Sequence, residues 1–529
     1  MIAGELLAPV RRATRLGTGR RGPAWPWVIA ALLPFLVAAG WFVATRHLVL
    51  GSDQALLALD TTDARHLHQA VGPYSRMGWA HPGPAWYALL VPGFTLLGSS
   101  GAALVASALA VQALAAGLIV GTCADRRPGE RPLLAAVLLL FVLRVPAQVW
   151  VHPWNPDALL LPTVLLLLLT ARAASRAALA GVLVVGSFLV QTHIGTLPLV
   201  IAAVVVAAGV HLASGGGPRG GGRVAAALVG LAVLAWVPPL VQQLGAAPGR
   251  GNLAQIASYF LHGAKPGDER HTWGQALAAV GRMFGVPVYG WNPGTAPLAV
   301  ATLPASVLLA LVAQLLGTLL LLAAGVRWAH RRSVTLAVAL LGAEAAAVVA
   351  AKAVTGPVYA YLLLWLTALP AVLAYGWLLL VVERLRPRLP PVRRPLPLRA
   401  VAAGAVAALV VATATAQVRA AAGEPDQPGV TAAMALLRGH VRGGVYLDLG
   451  SADAWPTATG IGLLLEQQGH PVRVDGTWAR LFGRDRLATG REQTHVLLVP
   501  AWYAPQVHGV ASLGTVATDA GPMAVLVGR

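Results

Sequence analysis

The chain has 529 residues, of which 57% are hydrophobic and only 11% charged, and it carries a formal net charge of +19. That composition leaves too little polar surface to clothe soluble domains, which excludes a soluble globular protein. So large a positive charge raises nucleic acid as a partner, and its distribution along the chain decides whether that reading holds.

Taken in chain order, apolar segments near 27–45, 101–122, 133–149, 158–171, 177–190, 197–213, 224–241, 298–324, 334–351, 357–382 and 399–417 read as about eleven transmembrane helices. The connections that this threading places on the side of the N-terminus hold arginine clusters at 11–21, 126–131, 172–176, 219–223, 327–332 and 384–399. Those clusters total twenty-one arginines against four acids, Glu5, Asp125, Glu130 and Glu383. The charge is therefore a topology signal: the N-terminus is cytoplasmic, and no nucleic-acid partner is expected. The first apolar run is expected to be an uncleaved anchor, because it is long and the loop after it is integrated with the rest of the chain. The expected division is a cytoplasmic tail over 1–24, a transmembrane domain over 25–418 with large external loops at 46–100 and 242–297, and an extracytoplasmic α/β domain over 419–529.

The first external loop opens with GSDQALLALDTTDARHLHQAVGPYSRMGWAHPGPAWY, which puts Asp53, Asp60, Asp63, Arg76 and His81 at a membrane edge. Ionised groups are costly there unless they have a function. The apolar stretch 86–97 is too short to span and reads as a re-entrant or surface-lying helix. Further along, WVHPWNPD contributes His152 and Asp157, QTHIGT contributes Gln191 and His193, and the 242–297 loop contributes Lys265, Arg270 and Arg282. KAVTGPVYAY contributes Lys352, one of only two lysines in the chain, with Tyr359 and Tyr361 beside it. Eight of the fourteen histidines fall on this face of the membrane portion. The single cysteine, Cys123, sits at the cytoplasmic end of the second span, so no intramolecular disulfide holds the external parts together. Beyond residue 418, strand-like runs at 444–449, 472–474, 495–500 and 523–527 surround a helix at 456–468 that Gly469 caps.

A first helix ending near an acid, a large first loop with an HPGPAWY segment leading into a short surface helix, a second loop ending in Asp157 and a C-terminal external domain together resemble the GT-C superfamily of membrane glycosyltransferases. The likeness is greatest to bacterial mannosyl- and arabinosyltransferase-like members, which use polyprenyl-phosphate-linked sugars. The resemblance implies an inverting transfer from such a donor to a hydroxyl of a cell-envelope glycan, glycolipid or protein. It also implies that Asp53 is the general base and that Asp157 is the acid at the start of the helix after the second external loop. Gln54 follows Asp53 where several members carry a second acid.

The chemistry makes the same demands. Sugar transfer from a lipid phosphate needs a base for the acceptor hydroxyl and positive charge for the departing phosphate. Asp53 is the expected base; Lys352, Arg270, Lys265 and Arg282 are the expected phosphate contacts. Arg76, His81, His152, Asp157, Gln191, His193 and Tyr359 complete the expected substrate-binding set. No cofactor is expected, since the histidine and carboxylate spacing, His66 and His68 with Asp63, His81 and His152, matches no strong metal template. Two rival readings stay open: a polysaccharide polymerase or ligase of another fold, and a transporter or lipid flippase built on the intramembrane Glu344. Arginine-rich, lysine-poor usage suggests an actinobacterial inner membrane, with cell-wall polysaccharide as acceptor.

Overall fold

The computed structural model describes residues 23–124, 129–215, 221–262, 269–298, 303–385 and 396–528. Among them, eight helices are long and apolar enough to cross a membrane: Trp25–Thr45, Gly101–Cys123, Ile194–Ala213, Gly222–Gly245, Ala305–Arg327, Arg331–Ala353, Ala360–Leu385 and Ala400–Ala422. Three other segments read as spans, Glu130–Arg144, Asp157–Ala171 and Arg176–Thr192, are helices of 15 to 17 residues, short of the roughly 20 that a bilayer asks for. The tail 1–22, Asp125, Arg126, Arg127, Arg219, Lys265 and the arginines between 386 and 394 lie outside the described residues.

Helix α1 (Trp25–Thr45) buries Ala31, Phe35, Ala38 and Phe42, a stripe at helical spacing. It lies along a helix at Gly101–Leu118, whose buried run of Ala, Ser and Val lets the two backbones approach closely. Between them the chain makes helix α2 (Ser52–Arg65) and helix α3 (Ala85–Leu96), the latter where the short surface helix was expected. Helix α2 lies within the stretch expected to be the first external loop, where no helix was expected over SDQALLALDTTDAR. Three aspartates and two threonines give it weak intrinsic propensity, and packing of Ala55, Leu56, Leu57, Ala58 and Leu59 supplies what propensity does not.

The C-terminal region closes over α2. Strands β1 (Val445–Leu449), β2 (Val472–Arg473), β3 (Thr494–Pro500), β4 (Ala511–Thr518) and β5 (Gly521–Gly528) form one sheet in the order β2-β1-β3-β5-β4. Strand β1 is parallel to β2 and β3, and β5 is antiparallel to β3 and β4. The β1-to-β2 crossover is helix α4 (Trp455–Gln467), as parallel pairing requires. Strand β4 is not visible in the sequence because ASLGTVAT lacks an apolar run and is bent at a bulge between Ser512 and Gly514.

Helix α4 packs directly on α2. Gly460 allows this: a Cβ there would stand 2.4 Å from the Leu50 carbonyl oxygen and 2.6 Å from Val430 Cγ2. Polar contacts fasten the same seam. Val49 N donates to Asp426 Oδ1 (2.8 Å), Gln54 Nε2 to Glu424 Oε1 (2.8 Å) and Thr459 Oγ1 to the Ser52 carbonyl (3.2 Å). Arg486, 5% exposed at its side chain, reaches across to Asp63 (2.6 and 3.0 Å) and to Glu466 (2.8 Å twice). Helix α2 is thus clamped between the membrane bundle and the sheet region.

Candidate active site

One face of α2 lines a cavity of about 560 Å³, to which it contributes Asp53, Leu56, Leu57 and Asp60. These are positions i, i+3, i+4 and i+7, the spacing that puts side chains on one side of a helix. The opposite walls come from a hairpin over 72–81, from Trp154–Pro156, from His193–Pro198, from Tyr259 and Phe260, from Val349–Val354 and from Tyr361. The cavity therefore draws together separated stretches of chain, several of them segments whose polar and aromatic residues marked them in the sequence.

Asp53 occupies the first turn of α2, where the helix dipole favours a carboxylate. Tyr74 Oη donates a hydrogen bond to Asp53 Oδ1. Burial raises the Asp53 carboxyl above the ordinary carboxylate range, while the Tyr74 hydrogen bond and the charge of His152 draw it partway back. Burial opposes charge on His152, but its hydrogen bond to Asp157 (3.2 Å) and the nearby carboxylates of Asp157, Glu424 and Asp53 outweigh that and lift its pKa. Asp157 itself is buried and does not line the cavity; it orients His152, which stands behind Asp53.

The hairpin is closed by hydrogen bonds from Gly72 N to the His81 carbonyl (2.8 Å) and from His81 N to the Pro73 carbonyl (2.7 Å). Asn252 pins it, donating from Nδ2 to the Ala80 carbonyl and accepting at Oδ1 from Ala80 N, both at 2.9 Å. From this hairpin Arg76 enters the cavity wall. Its Nη2 donates to the carbonyls of Thr355 (3.1 Å) and Pro357 (2.6 Å), and its guanidinium lies 4.9 Å over the Tyr359 ring. Among the described residues no carboxylate pairs with it, so its charge is available to a ligand. Tyr359 stacks on Tyr361 (5.5 Å, 16°), which in turn meets Trp154 (4.7 Å).

His81 and His193 pack against each other at 4.7 Å. Burial holds His81 well below its ordinary range, and pushes His193 down to about 4, so both imidazoles are neutral. His193 Nδ1 accepts from Gly195 N (3.1 Å), so its proton sits on Nε2, a buried donor with no partner among the described residues. A buried donor left unpaired calls for an explanation, and a ligand in the adjoining cavity is one.

Other expected contacts are elsewhere. Lys352 does not line the cavity; its Nζ lies 5.7 Å over the Trp273 ring. Arg270 is held in a bridge to Thr355, and neither it nor Arg282 reaches the lining. Gln191 is fully buried and donates from Nε2 to the Ala235 carbonyl (3.0 Å). The spare lysine stands out in the sequence, yet the cavity's cation is Arg76, which a hairpin between Gly72 and His81 carries inward. Tyr74 carries no sequence signal at all, since its partner lies 21 residues away. Asp63 is held by Arg486, His81 by His193 and His152 by Asp157, so the histidine and aspartate grouping considered for a metal is dispersed. Among the described residues no group of three or more His, Cys, Asp or Glu is placed to hold a metal ion. Glu344 is engaged by Gln314 and Thr318, each at 2.7 Å.

No protein-family profile matches the chain, and no curated protein matches it in sequence. Its structure is similar to that of ArnT from Cupriavidus metallidurans bound to undecaprenyl phosphate, with a TM-score of 0.56 and 13% identity over 96% of this chain and 98% of that one. It is similar also to the same protein in the apo state, with a TM-score of 0.54 and 14% identity over 95% and 98%. The chain is a multi-pass membrane protein with an ArnT-like fold.

Proposed function

We propose that this protein is a GT-C-type glycosyltransferase of a bacterial inner membrane. It takes a sugar from a polyprenyl-phosphate donor and passes it, with inversion, to a hydroxyl of a cell-envelope glycan, glycolipid or protein on the external face. The observation that carries this reading is that Asp53 and Arg76 line the same cavity, a carboxylate raised by burial and an arginine without a carboxylate partner among the described residues. The bound undecaprenyl phosphate of the ArnT structure supports the donor class.

In a single displacement the acceptor oxygen bonds to the anomeric carbon as the bond from that carbon to the phosphate oxygen breaks. The hydroxyl proton passes to Asp53, which Tyr74 holds in place. The electron pair leaves on the polyprenyl phosphate, whose added negative charge is met by Arg76, so Arg76 takes the part expected of Lys352. His193 Nε2–H, a buried donor without a partner among the described residues, is the proposed contact for a sugar or phosphate oxygen. Leu197 (38% exposed) and Phe260 (47%) carry the apolar side of the cavity out to the surface of the bundle, where a polyprenyl chain lies in lipid.

The test is incubation of purified protein with a panel of polyprenyl-phosphate sugars, with wild type beside Asp53→Asn and Arg76→Gln. Wild type transfers, and loss of the base lowers the rate by about 10²–10⁴-fold. Equal transfer by wild type and Asp53→Asn removes the proposed base.

A further inference from the structure

The cavity that holds Asp53 has two unlike borders. Toward the sheet region, across Asp60, Tyr74, Arg76 and Trp79, it adjoins a second cavity of about 480 Å³ whose own lining is polar, with Gln69, Gln242 and Gln255 in it. Its apolar wall instead reaches the surface of the bundle at Leu197, Phe260 and Val349, the last of them 50% exposed. Leu197 and Val349 stand on two helices that pack against each other, Ile194–Ala213 and Arg331–Ala353. Hydrocarbon is favoured at such an apolar mouth and not against a polar lining, so a lipid-linked substrate arrives past Val349. Lys352 lies one helical turn beyond Val349, at the end of the same helix. We propose that Lys352 and Trp273 form a landing site at this mouth, outside the cavity, where the phosphate of a membrane-borne lipid is held before it passes inward to Arg76.

Lys352 has what such a site needs. Its Nζ lies 5.7 Å over the Trp273 ring, a contact that engages its charge but none of its three N–H donors. Among the described residues no carboxylate pairs with it, nor with Arg270, although Glu269 is exposed nearby in the chain. A lysine that merely snorkelled would carry its amine to open water, whereas this one is held against an indole that is itself 59% exposed. Exposed indoles favour the membrane–water interface, the depth at which a lipid phosphate lies. Trp273 is fixed by a capping box, in which Gln275 N donates to Thr272 Oγ1 (3.2 Å) and Thr272 N to Gln275 Oε1 (2.7 Å). The segment after Lys352 leads to the cavity's own cation. Gly356 N donates to the Glu269 carbonyl (2.9 Å), which pairs this segment with Arg270, while the carbonyls of Thr355 and Pro357 accept from Arg76. From Lys352 to Pro357 the backbone spans at most about 18 Å, so the step from the lysine to the arginine is a short one.

The onward route rests on the transferase reading, whereas the landing site is tested on a lipid phosphate alone. Purified full-length protein in phosphatidylcholine nanodiscs is mixed with farnesyl phosphate, which carries a phosphate and an isoprenoid chain but no sugar. Binding is followed by stopped-flow tryptophan fluorescence, reported by Trp79 and Trp154 in the cavity. A charge at the rim of a site acts on the rate of encounter more than on escape. Lys352→Gln is therefore expected to slow association by about fivefold at low salt, the worth of one lysine against an anionic lipid, and to flatten its dependence on salt. Lys352→Arg keeps the charge and the rate, and Trp273→Leu, which releases the amine, slows association. Arg76→Gln leaves association fast and speeds dissociation. Inorganic phosphate at the same concentration does not compete; competition would make this a site for free anions and overturn its assignment to lipid. An unchanged rate in Lys352→Gln or Trp273→Leu, equal slowing in Lys352→Arg, or no binding by wild type also overturns the proposal. Binding that depends on Lys352 in a protein that transfers no lipid-linked sugar would instead overturn the transferase reading and leave the landing site standing.

Discussion

Tyr74 tunes the working pH of a base that burial raises. Its hydroxyl stabilises the ionised form of Asp53, and burial acts against that form. A base must be deprotonated to act, so activity falls as pH drops through the Asp53 pKa, which lies above the ordinary carboxylate value of about 3.9. In Tyr74→Phe the stabilising hydrogen bond is gone and that pKa rises. The acidic limb of the kcat/KM profile therefore moves to higher pH, while the alkaline side keeps most of its rate; an unmoved limb would separate Tyr74 from the base. His193 offers a second measurement. Replacing it with Leu removes one neutral donor, so KM for the lipid-linked sugar rises by up to about tenfold, the worth of a typical hydrogen bond. A residue that merely packs would lower thermal stability and leave KM alone.

Helix α2 is the element on which the site depends, and it explains what the sequence could and could not reveal. Asp53 stands out as a candidate in the sequence because a carboxylate at a membrane edge is costly without a use, and it lies on the cavity wall. Asp60 and Asp63 looked like loop charges, since periodicity alone did not show that they continue one helical face from the first cavity to the second. The partners that make the face meaningful are remote in sequence: Arg486 for Asp63, Tyr87 for Asp60 and Glu424 for Gln54. Strands β1 and β3 were visible as apolar runs, whereas β4 takes its identity from pairing with β5. Two measurements probe the clamp. Arg486→Met leaves Asp63 and Glu466 facing each other without their cation and costs about 3 kcal/mol, the low end for a buried pair because both carboxylates keep some solvent. The loss appears as proteolysis of the sheet region before the bundle. Burial raises Asp60 to about 7, so the folded state holds its proton more tightly than the unfolded chain, whose carboxyl titrates near 3.8. The stability that this group contributes is then greatest at pH values below that unfolded pKa and declines as pH rises toward about 7; thermal unfolding of Asp60→Asn shows a flatter slope across that window.

At the scale of the whole molecule, the two cavities, the sheet region and the hairpin gather at one end of the helix bundle, so the function depends on which side of the membrane that end faces. The fold alone does not orient the molecule, but the arginine distribution predicts an orientation. Clusters at 172–176 and 327–332 lie on connections at the other end, and positive residues are retained in the cytoplasm. The site should therefore face outward, where a lipid-linked sugar and an envelope glycan meet. The chain is well suited to a direct check, because its single cysteine, Cys123, is fully buried and contributes little background labelling. Ser512 on β4 and Ala213 at the end of the Ile194–Ala213 helix are exposed positions at opposite ends. In intact cells whose inner membrane is sealed, an impermeant maleimide should label Ser512→Cys, and it should label Ala213→Cys only after permeabilisation. The reverse pattern would put the carboxylate, the arginine and both cavities in the cytoplasm, away from any externally presented donor, and the proposed transfer would fail with it.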